Sequence, residues 1–190
     1  MIEAASVINA CGVVVGQGPD GAFAHLATAW SLGDGDWVCA WSQQEPPRAP
    51  RLICCADGVA GMIDAWECED GIAGFTAMVA PGRLGIATGA TLHKRDPLWA
   101  IGFPSLIDHP AFALHHGSLD AERYQPYLCP WVVEGPLLVF SSQDGYLAGR
   151  LYPGMQGGPV LAGDGRVVGV LVASAQGEAQ VPLTRFHRLA

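Results

Sequence analysis

Cysteine and histidine are two residue types that could carry nucleophilic, acid–base or metal chemistry, and the sequence has six of each. Zinc sites usually combine such ligands in short paired spacings such as Cys-x-x-Cys. No matching pair of this kind occurs, and the adjacent Cys54 and Cys55 would point to opposite faces of a strand. The sequence therefore predicts no metal or other cofactor, and it favours reduced thiols that pack as small core residues. The cysteines are Cys11, Cys39, Cys54, Cys55, Cys68 and Cys129.

The histidines stand in no recognisable catalytic motif. A histidine acts as a general base when it lies within hydrogen-bonding distance of a nucleophile. The sequence contains no Gly-x-Ser-x-Gly elbow and no familiar Cys–His arrangement. A relocated catalytic site built on one of these histidines is therefore kept as an alternative interpretation. The histidines are His25, His93, His109, His115, His116 and His187.

Short apolar runs recur along the chain, each bounded by Gly, Pro, Asp or Asn, and this pattern is typical of many short strands. Half of the residues are hydrophobic, and 25 glycines and 14 prolines interrupt them, which disfavours disorder and long helices. Two Gly-Asp-Gly segments between such runs predict hairpin turns, because glycine supplies positive φ and aspartate tolerates it. The turns are Gly33–Asp36 and Gly163–Gly165.

About twelve strands are predicted in this way, together with two short helical segments. The strands are Gly12–Val15, Phe23–Trp30, Trp37–Trp41, Arg51–Cys55, Gly61–Trp66, Ile72–Val79, Leu98–Phe103, Trp131–Glu134, Leu137–Ser141, Pro159–Ala162, Arg166–Ala173 and Glu178–Pro182. The helical segments are a turn over Ser118–Tyr124 and a terminal helix over Leu183–Leu189. We expect one domain over residues 1–190 with two lobes, about 1–85 and about 86–190, and a boundary near Pro81–Thr91.

The charge of the chain restricts its partners. Its formal net charge is -8, and it has only ten Lys and Arg residues, so clustered phosphate contacts with nucleic acid or an anionic membrane are not expected. No apolar run approaches the roughly 18 residues of a membrane span, and no positively charged segment precedes an apolar stretch at the N-terminus. We expect a cytoplasmic protein whose partner is another protein.

One glycine-rich segment, Pro153–Val160 with the sequence PGMQGGPV, carries the clearest family resemblance. It is followed by a predicted hairpin and by Val167–Val170, and together they resemble the Gly-x-Ser-Gly-Gly-Pro block of trypsin-like serine proteases. In that family the glycines direct backbone N–H groups at one point and form an oxyanion hole. Gln156 stands where the family has its nucleophilic serine, and its amide is neither a usable nucleophile nor ionisable near neutral pH.

Three further segments resemble the same family. Trp37–Ser42 is similar to the strand that ends in the catalytic histidine, and it places Ser42 at that position. Asp70–Phe75 is similar to the strand that carries the orienting aspartate, and it places Gly71 there; a shift of one residue would place Asp70 there instead. Leu98–Pro104 is similar to the segment that opens the second lobe in bacterial members.

The resemblance implies an all-β fold, a double six-stranded antiparallel β-barrel of trypsin-like type. It also implies that the triad positions hold Ser42, Gly71 and Gln156, which cannot perform Ser-His-Asp chemistry. We therefore expect a catalytically inactive pseudoprotease, not an enzyme, that acts as a protein-binding, scaffold or regulatory subunit, in a bacterial defence or signalling system. Its partner would be an extended peptide segment of another protein. The expected binding residues are Trp41, Met155, Gln156 and Gly157.

Two alternatives remain open at this point. The first is an active hydrolase whose catalytic residues have moved to other positions. The second is a purely structural subunit in which Trp41 and Gln156 fill the former cleft.

Overall fold

The computed structural model describes residues 4–19, 21, 23–79, 84, 91–105, 128–177 and 181–189. These ranges contain one short helix and twelve strands. In chain order they are α1 (Ala4–Asn9), β1 (Cys11–Gln17), β2 (Phe23–Gly33), β3 (Asp36–Ala40), β4 (Arg51–Cys54), β5 (Ala60–Glu69), β6 (Ile72–Ala77), β7 (Pro97–Gly102), β8 (Trp131–Phe140), β9 (Asp144–Ala148), β10 (Pro159–Leu161), β11 (Val167–Gln176) and β12 (Pro182–Arg188). None of the helical segments in these ranges has the length and apolar character needed to cross a membrane.

The strands form two closed antiparallel barrels of six strands each. The N-terminal barrel has the order β1-β2-β3-β6-β5-β4 and closes where β4 pairs with β1. The C-terminal barrel has the order β10-β11-β12-β9-β8-β7 and closes where β7 pairs with β10. The predicted fold class, a double six-stranded antiparallel β-barrel, is confirmed.

Every second side chain along a strand points into the barrel and fills its interior. Along β6 every second residue is buried, so Ala73, Phe75 and Ala77 point inward and pack with Trp37 and Leu52. The C-terminal barrel is filled in the same way by a second set of buried apolar side chains. This set includes Leu98, Leu137, Leu147, Leu171 and Phe186.

A third core cluster joins the two barrels. Trp30 and Ile53 from the N-terminal barrel share it with Phe103, Leu161 and Val170 from the C-terminal barrel, and all five are at most 3% exposed. The barrels are therefore packed against each other through apolar contacts, and we call this region the barrel junction.

Both predicted hairpins are present. Asp34 and Gly35 connect β2 to β3 with φ values of 55° and 86°, the positive values that a two-residue turn with the strand twist requires. Gly165, with φ of 83°, lies in the turn between β10 and β11. The Gly-Asp pattern was a reliable signal because few residues adopt this conformation at low cost.

The structure corrects several predicted elements. The helix predicted over Leu183–Leu189 is wrong, because this segment is β12, which pairs with β9 and β11. The separate strands Trp131–Glu134 and Leu137–Ser141 are one strand, β8, that continues through Pro136 opposite Pro97 at the start of β7. The strand β9 and the helix α1 were not predicted. The predicted turn over Ser118–Tyr124 and most of the predicted strand Glu178–Pro182 lie outside the described residues.

Candidate functional site

The glycine-rich segment, residues 153–158, forms a loop at the barrel junction that we call the glycine loop. It is fixed to the C-terminal barrel by Leu171 of β11, whose carbonyl oxygen accepts from Gly157 N at 2.7 Å and whose N–H donates to Gly158 O at 2.8 Å. Within the loop Gly158 N donates to Met155 O at 3.1 Å. These backbone hydrogen bonds set the shape of the loop.

Thr28, on β2 of the N-terminal barrel, holds the other side of the glycine loop. Its N–H donates to Gln156 O at 2.8 Å, and its hydroxyl donates to Gly154 O at 2.8 Å. The same hydroxyl accepts from Phe103 N at 2.9 Å. Thr28 is fully buried, so one side chain connects the glycine loop, the end of β7 and the N-terminal barrel. Sequence reasoning missed this residue, although a threonine within the apolar run Ala27–Trp30 was a signal for it.

The Gln156 side chain accepts a hydrogen bond inside the glycine loop. Its Oε1 accepts from the backbone N–H of Gly154 at 2.9 Å. Gly154 has φ of 88°, and the carbonyl of Pro153 accepts from Ser105 N at 2.7 Å, which fixes the orientation of the peptide that carries this N–H. An N–H presented in this way is the kind of donor that stabilises a carbonyl oxygen in acyl-transfer sites. The amide oxygen of Gln156 therefore lies beside the Gly154 N–H, where an acyl-transfer site would hold a carbonyl oxygen.

Two of the expected binding residues are buried. Met155 is fully buried in the core of the C-terminal barrel, and its Sδ accepts from Tyr152 N at 3.4 Å. Gly157 is also buried. Both residues therefore pack inside the glycine loop, and their expected contact with a partner stays a prediction. Gln156, by contrast, is half-buried.

The structure brings together the segments that carry Ser42, Gly71 and Gln156. Gly157 packs against the end of β3, since a Cβ built on it would lie 2.8 Å from Ala40 N. One residue further along, Trp41 N donates to Gly71 O at 2.9 Å. Ser42, which follows, is exposed. The three positions that the resemblance assigns to a triad thus lie around the barrel junction.

Asp70, the alternative to Gly71, lies at an exposed turn. Asp70 and Gly71 connect β5 to β6 with φ values of 50° and 82°, which makes them the two central residues of a tight hairpin.

Trp41 packs mainly against its own barrel. Its ring meets that of Trp66 edge-on, with centroids 5.6 Å apart, and Trp66 stacks on Phe75 at 5.3 Å. The indole N–H of Trp41 donates to Glu45 O at 2.9 Å. The residue is partly exposed, so Trp41 packs against the core of the N-terminal barrel while part of it remains accessible to solvent.

His25, also on β2, is a buried histidine beside the glycine loop. It is 3% exposed, and burial lowers its pKa to about 4, although hydrogen bonds with the backbone of Gly154 and Ala27 act in the opposite direction. The ring is therefore neutral at pH 7. Its position next to Gly154 was not anticipated from the sequence.

Lowering the pH is expected to destabilise the protein through His25. The folded-state pKa is below the ordinary value of 6.5, so the unfolded chain binds a proton first, and stability falls as the pH drops from about 7 toward 4. The free energy of unfolding should fall by about 3 kcal/mol over this range from His25 alone. Urea unfolding of the wild type and of His25→Gln at a series of pH values measures this. The two proteins share all other histidines, so an identical pH dependence would contradict the assignment.

A separate groove lies between the outer face of β5 and β6 and the end of β12. It has a volume of about 690 Å³, and Cys68 and His187 are both among its lining residues. His187 Nδ1 lies 3.7 Å from Asp144 Oδ1, which would suit a base with an orienting acid. However, the Cys68 thiol donates to Trp41 O at 3.3 Å and packs with the interior of the N-terminal barrel. The thiol therefore faces away from the groove, and this pair does not form a nucleophile–base arrangement.

The cysteines in the structure are free thiols, and four of them are buried. Burial raises the pKa of the Cys11, Cys39, Cys54 and Cys55 thiols, which disfavours the thiolate form that attacks carbonyl groups. Across the residues that the structure describes, no group of three or more Cys, His, Asp or Glu side chains is arranged to hold a metal ion. His109, His115 and His116 lie outside those residues.

The two barrels and the glycine loop at their junction define the fold of trypsin-like serine proteases. Three solved structures show the likeness. The active form of the Rv3671c protease from M. tuberculosis matches with a TM-score of 0.70 and 10% identity, over 97% of this chain and 78% of that chain. A Glu endopeptidase in complex with MPD matches with a TM-score of 0.67 and 12% identity, over 95% and 85%. The serine protease of a human pathogenic astrovirus matches with a TM-score of 0.64 and 15% identity, over 100% and 93%.

The sequence itself matches no protein-family model and no curated protein. The structural comparisons correct the expectation that this chain is not an enzyme, because the structures with this fold include a serine protease solved in its active form. The residue types at positions 42, 71 and 156 therefore do not by themselves establish the absence of activity.

Proposed function

We propose that this chain acts on polypeptide, and that it takes an extended peptide segment at the barrel junction with one peptide carbonyl oxygen on the N–H of Gly154. The observation that carries the proposal is the 2.9 Å hydrogen bond from Gly154 N to the amide oxygen of Gln156. A side-chain amide and a peptide group present the same kind of acceptor, so a position that holds one suits the other.

An available strand edge beside the glycine loop supports this proposal. The pairing of β11 with β10 ends at Val170, whereas its pairing with β12 continues to Gln176. Between Ala173 and Gln176 one edge of β11 is thus left without a strand partner among the described residues. Ser174 Oγ donates to Leu151 O at 3.1 Å, which fixes this edge relative to the segment that leads into the glycine loop. An extended peptide can add to such an edge through backbone hydrogen bonds.

A second candidate function is hydrolysis of the bound peptide, and the active protease among the structural neighbours favours it. Gln156 cannot serve as the nucleophile. Cleavage would therefore use a nucleophile other than Gln156 and a base at a position other than 42, 71 and 156. A role as a scaffold or regulatory subunit, predicted from the sequence, would rest on peptide binding alone.

Binding of casein-derived peptides tests the proposal. An array of overlapping casein peptides selects a binder, and fluorescence anisotropy of the labelled peptide gives its Kd. In Gln156→Trp a bulky ring fills the space beside the Gly154 N–H by its volume, independently of any hydrogen bond, and we expect a loss of affinity of at least tenfold. Met78→Arg is the matched control, because Met78 is 94% exposed on the N-terminal barrel. Absence of any binder, or equal affinity in Gln156→Trp, would refute peptide binding at this site.

The same peptides, incubated with the protein and analysed by mass spectrometry, test hydrolysis. New fragments that disappear when one residue is substituted would establish cleavage by this chain and identify a catalytic residue. Labelling of a serine by a fluorophosphonate probe would locate a nucleophile directly. Intact peptides and no labelling would rule out the second candidate while leaving peptide binding unaffected.

A further inference from the structure

We infer that the side chain of Gln156 is an internal competitor for the peptide site: it closes the site in the free protein and must rotate away when a peptide binds. This inference rests on the proposed function, since it concerns the regulation of the same site. Gln156 is the residue that the resemblance places at the nucleophile position, and its amide oxygen already accepts from Gly154 N at 2.9 Å.

The backbone around this contact is fixed, so only the side chain has to move. Gln156 O accepts from Thr28 N at 2.8 Å, and Pro153 O accepts from Ser105 N at 2.7 Å. The second hydrogen bond holds the peptide whose N–H belongs to Gly154. When the Gln156 amide leaves, Gly154 N–H therefore keeps its direction and remains ready to donate to another oxygen.

The side chain can leave without disturbing the core. Gln156 is half-buried, whereas both of its neighbours in the loop, Met155 and Gly157, are buried. A glutamine side chain turns about freely rotating single bonds and finds hydrogen bonds to water once it is exposed. The contact is thus reversible, and it exchanges one neutral amide acceptor for another.

The strength of the competition depends on the chemistry at position 156. A methionine has a similar length but lacks the amide oxygen, so it cannot close the site. A glutamate carboxylate accepts a charge-assisted hydrogen bond, which is about twice as strong as a neutral one. We therefore expect the peptide site to be open in Gln156→Met, closed in the wild type and more tightly closed in Gln156→Glu.

Amide hydrogen exchange at Gly154 tests the closure without any peptide. In ¹⁵N-labelled protein followed by NMR, we expect Gly154 N–H to exchange at least fivefold faster in Gln156→Met than in the wild type, because it loses its acceptor. Gln143→Met, which alters an exposed glutamine in the turn before β9, is the control and should leave Gly154 unchanged. Equal exchange in wild type and Gln156→Met would overturn the inference.

Peptide affinity tests the competition itself. With the labelled casein peptide we expect about fivefold tighter binding in Gln156→Met and about fivefold weaker binding in Gln156→Glu at pH 7.5, in line with the gain or loss of about one hydrogen bond. Binding that is no tighter in Gln156→Met would overturn the competition and leave the proposed function standing. If no casein peptide binds at all, the proposed function fails, whereas the exchange rate of Gly154 still decides whether Gln156 closes the loop.

Discussion

Gly157→Ala is expected to lower the free energy of unfolding by about 5 kcal/mol. Gly157 has φ of 91°, a conformation that costs a residue with a Cβ roughly 1–2 kcal/mol. A Cβ at this position would also collide with the carbonyl oxygen of Thr28 and would lie 2.8 Å from Ala40 N and 3.0 Å from Cys39 Cβ. Most of these neighbours are backbone atoms, so the barrels would have to separate locally to admit a methyl group. Urea unfolding at pH 7.5 measures the effect.

Alanine variants of two other glycines separate the cost of the backbone conformation from the cost of the steric collision. Gly71→Ala introduces the same kind of backbone strain, since its φ is 82°, but the nearest atom, Trp41 O, is 4.0 Å away. We expect a loss of about 1 kcal/mol there. Gly74→Ala meets no atom within 4 Å and has no positive φ, so it should be neutral within about 0.5 kcal/mol. If Gly157→Ala were as mild as Gly71→Ala, the packing of the glycine loop on β3 would be incorrect.

Thr28→Val is expected to cost about 4 kcal/mol, because it removes one buried hydroxyl that serves two backbone groups. Gly154 O would lose its donor and Phe103 N its acceptor, and each unsatisfied buried group costs roughly 1–3 kcal/mol. Valine has nearly the same shape, so packing contributes little to the difference. The measurement is again urea unfolding, combined with the affinity for the casein peptide. That affinity should fall because the glycine loop loses its support.

Thr28→Ser is the matched variant for this experiment. It keeps the hydroxyl and removes one methyl group, which costs about 1 kcal/mol. The serine variant should also retain the peptide affinity of the wild type. A valine variant as stable as the serine variant would show that the hydroxyl is not the link between the glycine loop and β2.

The turns and strands that were predicted correctly are those determined by residues close together in the sequence. The turn at Asp34 and Gly35 follows from residues that tolerate positive φ, and the strands follow from apolar runs between such turns. The segment Leu183–Leu189 shows where local reasoning ends, because its apolar residues at 183, 186 and 189 also fit a helical face. The structure instead buries Thr184, whose hydroxyl donates to Gly149 O at 3.1 Å. The acceptor, Gly149, directly follows β9, so residues 183–189 taken alone do not show that this segment is a strand.

The candidate site was predictable in outline only. The glycines of the loop, with Gln156 at its centre, were evident from the sequence. The hydrogen bond from Gly154 N to Gln156 Oε1 was not, because it depends on the rotamer of Gln156 and on the direction of one peptide group. The expectation of a non-enzyme failed for a related reason. It treated three positions as the whole chemistry of the fold, whereas residue types at aligned positions do not show which groups the folded chain brings together.

The contact between Thr28 and Gly154 has a consequence for how the molecule reaches its native state. These residues are 126 positions apart in the chain, while the strand pairings all lie within one barrel or the other. Closing so long a segment costs entropy that is repaid only when many contacts form together. Each barrel can gain most of its own contacts first, whereas the hydrogen bonds of Thr28 to the glycine loop can form only when the barrels dock. A C-terminal half synthesised alone would therefore lack the Thr28 hydrogen bonds that support the loop.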